Sequence, residues 1–257
     1  PRLKAMAGQV TTSDLPGTMY FGGSYWLDTA LFWAAMVEHQ EKGLLELWLS
    51  IQRAPRRLRA ASMHVPLRAS DEKMVGRALK YFRDWLDHAA PGDPFWEPLQ
   101  FSAGTGAVTA PVLLLAGWYD VFTPRTVADY DRLREAGKNP YLTIGLGLNE
   151  SITWFKAHVT GDRTGLREQP VRLFVMGAGE WRDYPSFPPP GIRQEHWHLH
   201  PGGGLDTTLP AESEPDRYRY DPHDPTPSVG GSALSPNSGP MDNKPLNASR
   251  YRPVESP

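Results

Sequence analysis

The sequence predicts an α/β chain: a parallel-sheet domain, interrupted by a helical block and followed by a β-rich segment. Three observations carry this. The run Val112-Leu113-Leu114-Leu115-Ala116, opened by Pro111 and closed by Gly117, is too short and too apolar for a surface helix and fits a central parallel strand covered on both faces. The long stretch before it shows helical rather than β–α periodicity, as an insertion would. Beyond Pro185, Pro- and Gly-rich turns separate short alternating segments.

In chain order, Leu3 to Val10 reads as a strand and Thr11-Thr12-Ser13-Asp14 as a turn. Residues 24–50 carry Leu27, Ala30, Leu31, Ala34 and Ala35, then Leu44, Leu45, Leu47 and Trp48, which suits two amphipathic helices broken near Gly43. One further helix is expected from Asp71 to Asp87, on the spacing of Val75, Leu79, Phe82 and Leu86, ending before Pro91-Gly92-Asp93-Pro94. After the apolar strand, Thr123-Pro124 opens a helix to about Ala136, with Pro where its missing N–H costs little. Tyr141 to Ile144 is a second strand, Glu150 to Val159 a helix and Pro170 to Met176 a third strand. Glu195 to His200 and Asp216 to Tyr220 alternate as strands of a β-domain starting near residue 190.

Composition bounds the function classes. With 257 residues the chain is long enough for a substantial core, and a net charge of −2 gives no reason to expect nucleic acid or an anionic membrane as partner. The absence of Cys excludes disulfides and thiolate catalysis while leaving the compartment open, with the cytoplasm expected. No apolar run approaches the roughly 20 residues that span a bilayer. The opening Pro1-Arg2-Leu3-Lys4, without initiator Met or signal-like segment, is expected to be a cut end.

The chemistry concentrates at Asp120, delivered by the apolar strand to its carboxyl end, where binding and catalytic groups collect in open α/β sheets. The bland alternative is that Asp120 caps the next helix. His196, His198 and His200 share one face of a strand; no carboxylate or further ligand is fixed by spacing, so a half-exposed strand is expected and no metal.

Several blocks together carry a family resemblance. Gly117-Trp118-Tyr119-Asp120, then Val171 to Gly177 with Trp181-Arg182-Asp183, then Tyr218-Arg219-Tyr220-Asp221-Pro222-His223-Asp224-Pro225-Thr226-Pro227 with Gly230-Gly231 resemble the CocE/NonD serine hydrolases, a family of esterases and X-Pro dipeptidyl-peptidases. The resemblance implies a partial α/β-hydrolase fold with an inserted helical cap, followed by the start of a jelly roll. The implied divisions are 1–15 as a core remnant, 16–105 as the cap, 106–188 as the core with the acid-bearing strand, and 189–257 as the beginning of the jelly roll.

It also implies acyl transfer by Ser, His and Asp, in which the His activates the Ser and the carboxylate orients the His. Asp120 matches the family's acid. Trp33 and Phe122 match positions lining the acyl or aromatic pocket, although ordinary core packing is an equal alternative for both. Gly22-Gly23-Ser24-Tyr25-Trp26 imitates a nucleophile elbow, but Trp26 stands where a small residue is needed and no buried strand precedes it, so Ser24 is expected to be a turn residue. The nucleophile is expected upstream of residue 1. Where the family carries its His, this chain reads Gly145-Leu146-Gly147-Leu148-Asn149, and His158 falls inside a helical pattern.

Two expectations follow. One is hydrolysis of small-molecule esters or of peptide bonds after an X-Pro pair, with no cofactor, no nucleic acid and no membrane, and homo-oligomerisation left open. The other is an inactive fragment or pseudoenzyme without the Ser and His. The tail from Ser249 to Pro257 departs from the family, as a shifted or shortened reading frame would.

Overall fold

A computed structural model describes residues 3–40, 43–145, 149–215, 230–234 and 239. Its centre is a five-stranded sheet in the order β1 (Met6–Gln9), β2 (Val112–Ala116), β3 (Tyr141–Ile144), β4 (Val171–Val175) and β5 (Glu180–Tyr184). The first four are parallel and β5 returns antiparallel on β4. All five residues of β2 are buried, as expected of a strand with both faces covered.

Alternation along β2 separates two cores. Val112 and Leu114 face Tyr130 and Leu133 of α6 (Thr123–Glu135) together with Leu142, Ile144, Val171 and Leu173. Leu113 and Leu115 face Ala5 and Trp154 on the other side. Trp154 belongs to α7 (Glu150–Phe155), which runs into a π-helical turn at Lys156–Thr160; its Nε1–H donates to Met6 O at 3.0 Å. The buried Arg167 fastens this face, donating to Glu150, to Leu142 O at 3.1 Å and to Pro170 O at 3.0 Å.

The helical block occupies the connection between β1 and β2, strands that are nevertheless direct neighbours with Met6 opposite Val112. It contains α1 (Leu15–Met19), α2 (Leu27–Gln40), α3 (Leu44–Ser62), α4 (Ser70–Val75) and α5 (Lys80–Asp87). Its core is separate: Ala30, Leu31, Ala34 and Ala35 pack with Ala54, Leu58 and Ala61, then with Met74, Phe82, Trp85 and Trp96. Small residues on α2 and α3 let the two helices approach closely.

Some expectations need correction. The helix expected over Asp71 to Asp87 is two helices, because Gly76 adopts a left-handed conformation at φ 84° and closes α4. The apolar spacing simply continued across the break. α3 runs on to Ser62, through an exposed Pro55, and Trp48 is exposed rather than packed; the side chains of Leu44, Leu45 and Leu47 lie outside the described residues. The expected break near Gly43 is present, with Gly43 at φ 98°.

The segment after residue 190 contains a hairpin of β6 (His198–His200) and β7 (Gly204–Asp206). The expected strand Asp216 to Tyr220, the motif Tyr218 to Pro227 and the tail from Ser249 lie outside the described residues. Among the described residues no helix is long and apolar enough to cross a membrane.

Candidate active site

β2 ends in a tight turn that aims Asp120 across the top of the sheet. Asp120 N–H donates to Gly117 O at 3.0 Å and Thr123 N–H to Asp120 O at 3.1 Å, and Thr123 Oγ1 also donates to Gly117 O, so strand and helix are joined without slack. The Asp120 carboxyl is asymmetric. Oδ1 accepts from Phe122 N–H at 3.0 Å, whereas Oδ2 is buried with no hydrogen-bond partner among the described residues. Burial pushes the carboxyl above the usual aspartate range, against the opposing pull of the Phe122 and Gly117 N–H groups. A buried acceptor left unpaired costs about 1–3 kcal/mol, so the position is maintained against a folding preference.

Beside Asp120 lies a cavity of about 610 Å³, lined by Trp118, Tyr119, Phe174, Met176 and Trp181 and also by Gly145 and Val10. The walls are tied together. Trp118 Nε1–H donates to Phe174 O at 2.7 Å, Tyr119 OH to Met176 Sδ at 3.2 Å, and the Phe174 and Trp181 rings meet edge-on at 5.4 Å. Gly145 is required here, since at φ 142° a Cβ would lie 2.4 Å from Trp181 Cη2. Val10 has φ 49°, a strained conformation for a β-branched residue. Ala233 and Leu234 reach the cavity from far along the chain, and Leu234 N–H donates to Thr29 Oγ1 of α2 at 3.2 Å.

The other candidates are distributed unevenly. Phe122 adjoins Asp120 through its backbone N–H, half-buried at the start of α6, but it is not among the residues that line the cavity, against the expectation for it. Trp33 does not line the Asp120 cavity; it packs in the helical block, stacked on Trp85 at 5.7 Å and edge-on to Tyr81 at 5.7 Å. Ser24 is exposed behind a 3-10 turn at Phe21–Gly23, with extended backbone and no strand before it. His158 lies in the π-helical turn against Trp154, at the opposite end of the sheet from Asp120.

Residues 146–148 lie outside the described residues, so the Leu146-Gly147-Leu148 expectation is not placed. His200 Nε2 lies 3.0 Å from Thr208 O, and among the described residues no group of three or more His, Asp or Glu could hold a metal. Phe174, Met176, Ala233 and Leu234 carry no local sequence signal that marks them as site residues. The pairing of Phe174 with Trp181 across β4 and β5 was the missing signal, and it depends on recognising β5.

Comparison with known proteins agrees with this architecture. The family profile of X-Pro dipeptidyl-peptidase (S15 family) matches residues 1–147, more than half of the chain. Cocaine esterase from Rhodococcus sp. (strain MB1 Bresler) is 27% identical over 297 residues, covering 95% of this chain and 50% of the esterase. The chain thus spans about half the length of that curated relative. The crystal structure of an aminopeptidase from a marine sediment archaeon, Thaumarchaeota archaeon, superposes with a TM-score of 0.61 at 18% identity, over 84% of this chain and 40% of that one, a likeness of fold. A central strand that ends at Asp120 and a helical block inserted before it accord with the profile match, which leads to one conclusion: the chain belongs to the X-Pro dipeptidyl-peptidase (S15) family, of CocE/NonD type.

Proposed function

We propose that this chain supplies the acid-bearing part of an acyl hydrolase working by a Ser-His-Asp mechanism, on an ester or on a peptide bond after an N-terminal X-Pro pair. The observation that carries the reading is the half-satisfied carboxyl of Asp120: one oxygen is held by Phe122 N–H, and the other is buried, unpaired and at the edge of a large apolar cavity. This is the geometry an orienting carboxylate needs, with one oxygen fixing the group and the other free to accept an imidazole N–H. The helical block would act as the cap and the segment from 189 as the first part of a jelly roll. Neither Phe122 nor Trp33 lines this cavity: Phe122 holds Asp120 through its backbone N–H and Trp33 belongs to the aromatic core of the cap, so the pocket role falls to Trp118, Phe174 and Trp181.

A second reading has its own support. Among the described residues, neither a serine hydroxyl nor an imidazole lines the Asp120 cavity, and His158 faces the other end of the sheet. On this reading the chain as given binds or assembles without turning substrate over. Labelling with a fluorophosphonate probe, together with p-nitrophenyl ester hydrolysis, separates the two. Stoichiometric labelling and turnover that fall by about 10⁴ in Asp120→Asn would support the triad role. Turnover that ignores this substitution would sink it, and no labelling at all would assign the chain to the second reading.

A further inference from the structure

At the end of the sheet opposite Asp120, beside the amino ends of β2 and β3, lies a separate cavity of about 350 Å³. The five residues of β2, rising about 3.3 Å each, separate it from the Asp120 cavity by roughly 16 Å. Lys138, His158 and Arg163 enter its wall, and no Asp or Glu does. The wall also holds Tyr141 and Trp154, whose rings are 4.9 Å apart and give the cavity a flat apolar side.

None of the three basic groups has a side-chain partner among the described residues. Lys138 is half-buried and its ammonium makes neither hydrogen bond nor ion pair; exposed Arg163 makes none either. His158 has its ring 4.2 Å from that of Trp154, and its Nε2 is buried without a partner. A buried ring nitrogen left unpaired lowers stability, and a bound acceptor would relieve it while pairing with the two cations.

A bland explanation for Lys138 is that it complements the carboxyl end of α6. The backbone already does this. Ala136, Gly137 and Lys138 N–H donate to Arg132, Arg134 and Leu133 O at 3.1, 2.9 and 2.9 Å, so those carbonyls do not need the side chain. The electrostatics point the same way. Burial and then the positive charge of Arg163 hold His158 below the usual imidazole range, so the cation is felt at the ring. Lys156 lies on the same turn as His158, and Asp162 beside Arg163 is engaged with Thr164 N–H at 3.0 Å and with the Lys156 charge.

We propose that this cavity is a binding site for a small oxyanion, a phosphate or carboxylate group, held between Lys138 and Arg163 with His158 Nε2 as a further donor. Charge-assisted bonds to such an anion are the strong class of hydrogen bond, and a cavity of this volume has room for a ligand larger than the anionic group itself. The site is independent of the hydrolase reading, because it shares no residue with the Asp120 cavity.

Binding is linked to His158 protonation. An anion that prefers the imidazolium tenfold raises the His158 midpoint by one pH unit at saturation. The test is a pH titration of histidine Cε1–H signals by NMR on the whole chain, with the His158 peak identified through His158→Gln. It is run in chloride, in inorganic phosphate and in succinate at matched ionic strength.

The expected result is a His158 midpoint that rises by about one unit in saturating phosphate. Response to phosphate alone identifies a phosphate-type site; response to succinate as well identifies a general oxyanion site. In chloride, Arg163→Met should itself raise the midpoint, and it should weaken the anion response at least fivefold, as should Lys138→Met. A wild-type midpoint indifferent to both anions overturns the proposal, as does an undiminished response in both variants. Arg163 is exposed, so its replacement leaves the packing intact, and the wild-type titration stands without any variant.

Discussion

Replacing Asp71 by Asn should loosen the helical block far more than so small a change suggests. Asp71 is fully buried and its carboxylate accepts four hydrogen bonds: Glu72 N–H at 2.8 Å and Arg83 Nη2 at 3.2 Å on Oδ1, Leu79 N–H at 2.8 Å and Arg83 Nε at 2.9 Å on Oδ2. It thereby welds α4 to α5 across the break at Gly76. An Asn side chain has one oxygen, so whichever way it is turned its NH₂ faces two donors.

Losing the charge and stranding two donors should cost about 3 kcal/mol, at the low end for a broken buried ion pair because Arg83 keeps some contact with water. For a chain of this size that is a fall of roughly 6–12 °C in Tm. Urea unfolding followed by tryptophan fluorescence reads it directly, since Trp33, Trp85 and Trp96 sit in the same core.

The pH dependence adds a sign. Burial alone would raise the Asp71 pKa, but the Arg83 bond and the two backbone N–H groups outweigh it and hold the carboxyl below its ordinary value of 3.8. Its contribution is therefore fully present above pH 3.8 and is lost as pH falls through the lower folded value. Asp71→Asn should lack this acid-sensitive component. The exposed pair Lys80–Asp84 at 2.5 Å is the control, and Lys80→Met should change stability by less than about 0.5 kcal/mol. If Asp71→Asn is no worse than that control, the account of the α4–α5 junction is wrong.

Gly145→Ala places a methyl 2.4 Å from Trp181 and 2.8 Å from Phe174 at a backbone angle that suits only glycine, so a loss of about 3 kcal/mol is expected in urea titration, and an unchanged midpoint would refute the close approach. Gly17→Ala would put a Cβ 2.3 Å from Asp14 Oδ2 and 2.7 Å from Arg125 Cζ, breaking the cap of α1 and its ion pair; about 1–3 kcal/mol should be lost in thermal unfolding. Asp120→Asn should go the other way in stability. A carboxyl whose folded pKa is raised favours the fold at low pH and loses that advantage as pH rises, so the Asn variant should be at least as stable as wild type at pH 7, with the difference vanishing towards pH 4. A thermal-shift series over that range that shows the opposite trend would contradict the burial of Asp120.

The parts of the fold legible in the sequence are those whose neighbours enforce one local pattern. β2 and β3 lie between other strands with helices or loops on both faces, so Val112 to Ala116 had to be uniformly apolar and could be read as a strand. β5 could not. Four of its five residues are exposed, and what holds it is pairing with β4 and the Arg172–Asp183 bridge at 2.6 Å, neither of which leaves a periodic trace. The split between α4 and α5 was hidden because Val75, Leu79, Phe82 and Leu86 keep helical spacing straight across Gly76.

By itself the sequence determined the α/β class, the helical block between β1 and β2, and the presentation of Asp120 at the end of a buried strand, together with the motif that marks the family. These rest on composition and short-range periodicity, which each residue carries wherever the rest of the chain goes. Only the tertiary structure decided that Trp33 joins the Trp85 stack, that Phe174 and Trp181 wall the cavity beside Asp120, and that His158 lines one cavity with Lys138 and Arg163 at the far end of the sheet. Those are contacts between groups far apart in the chain or set by strand direction, and no local pattern specifies which face of the sheet, or which end of it, a side chain will reach.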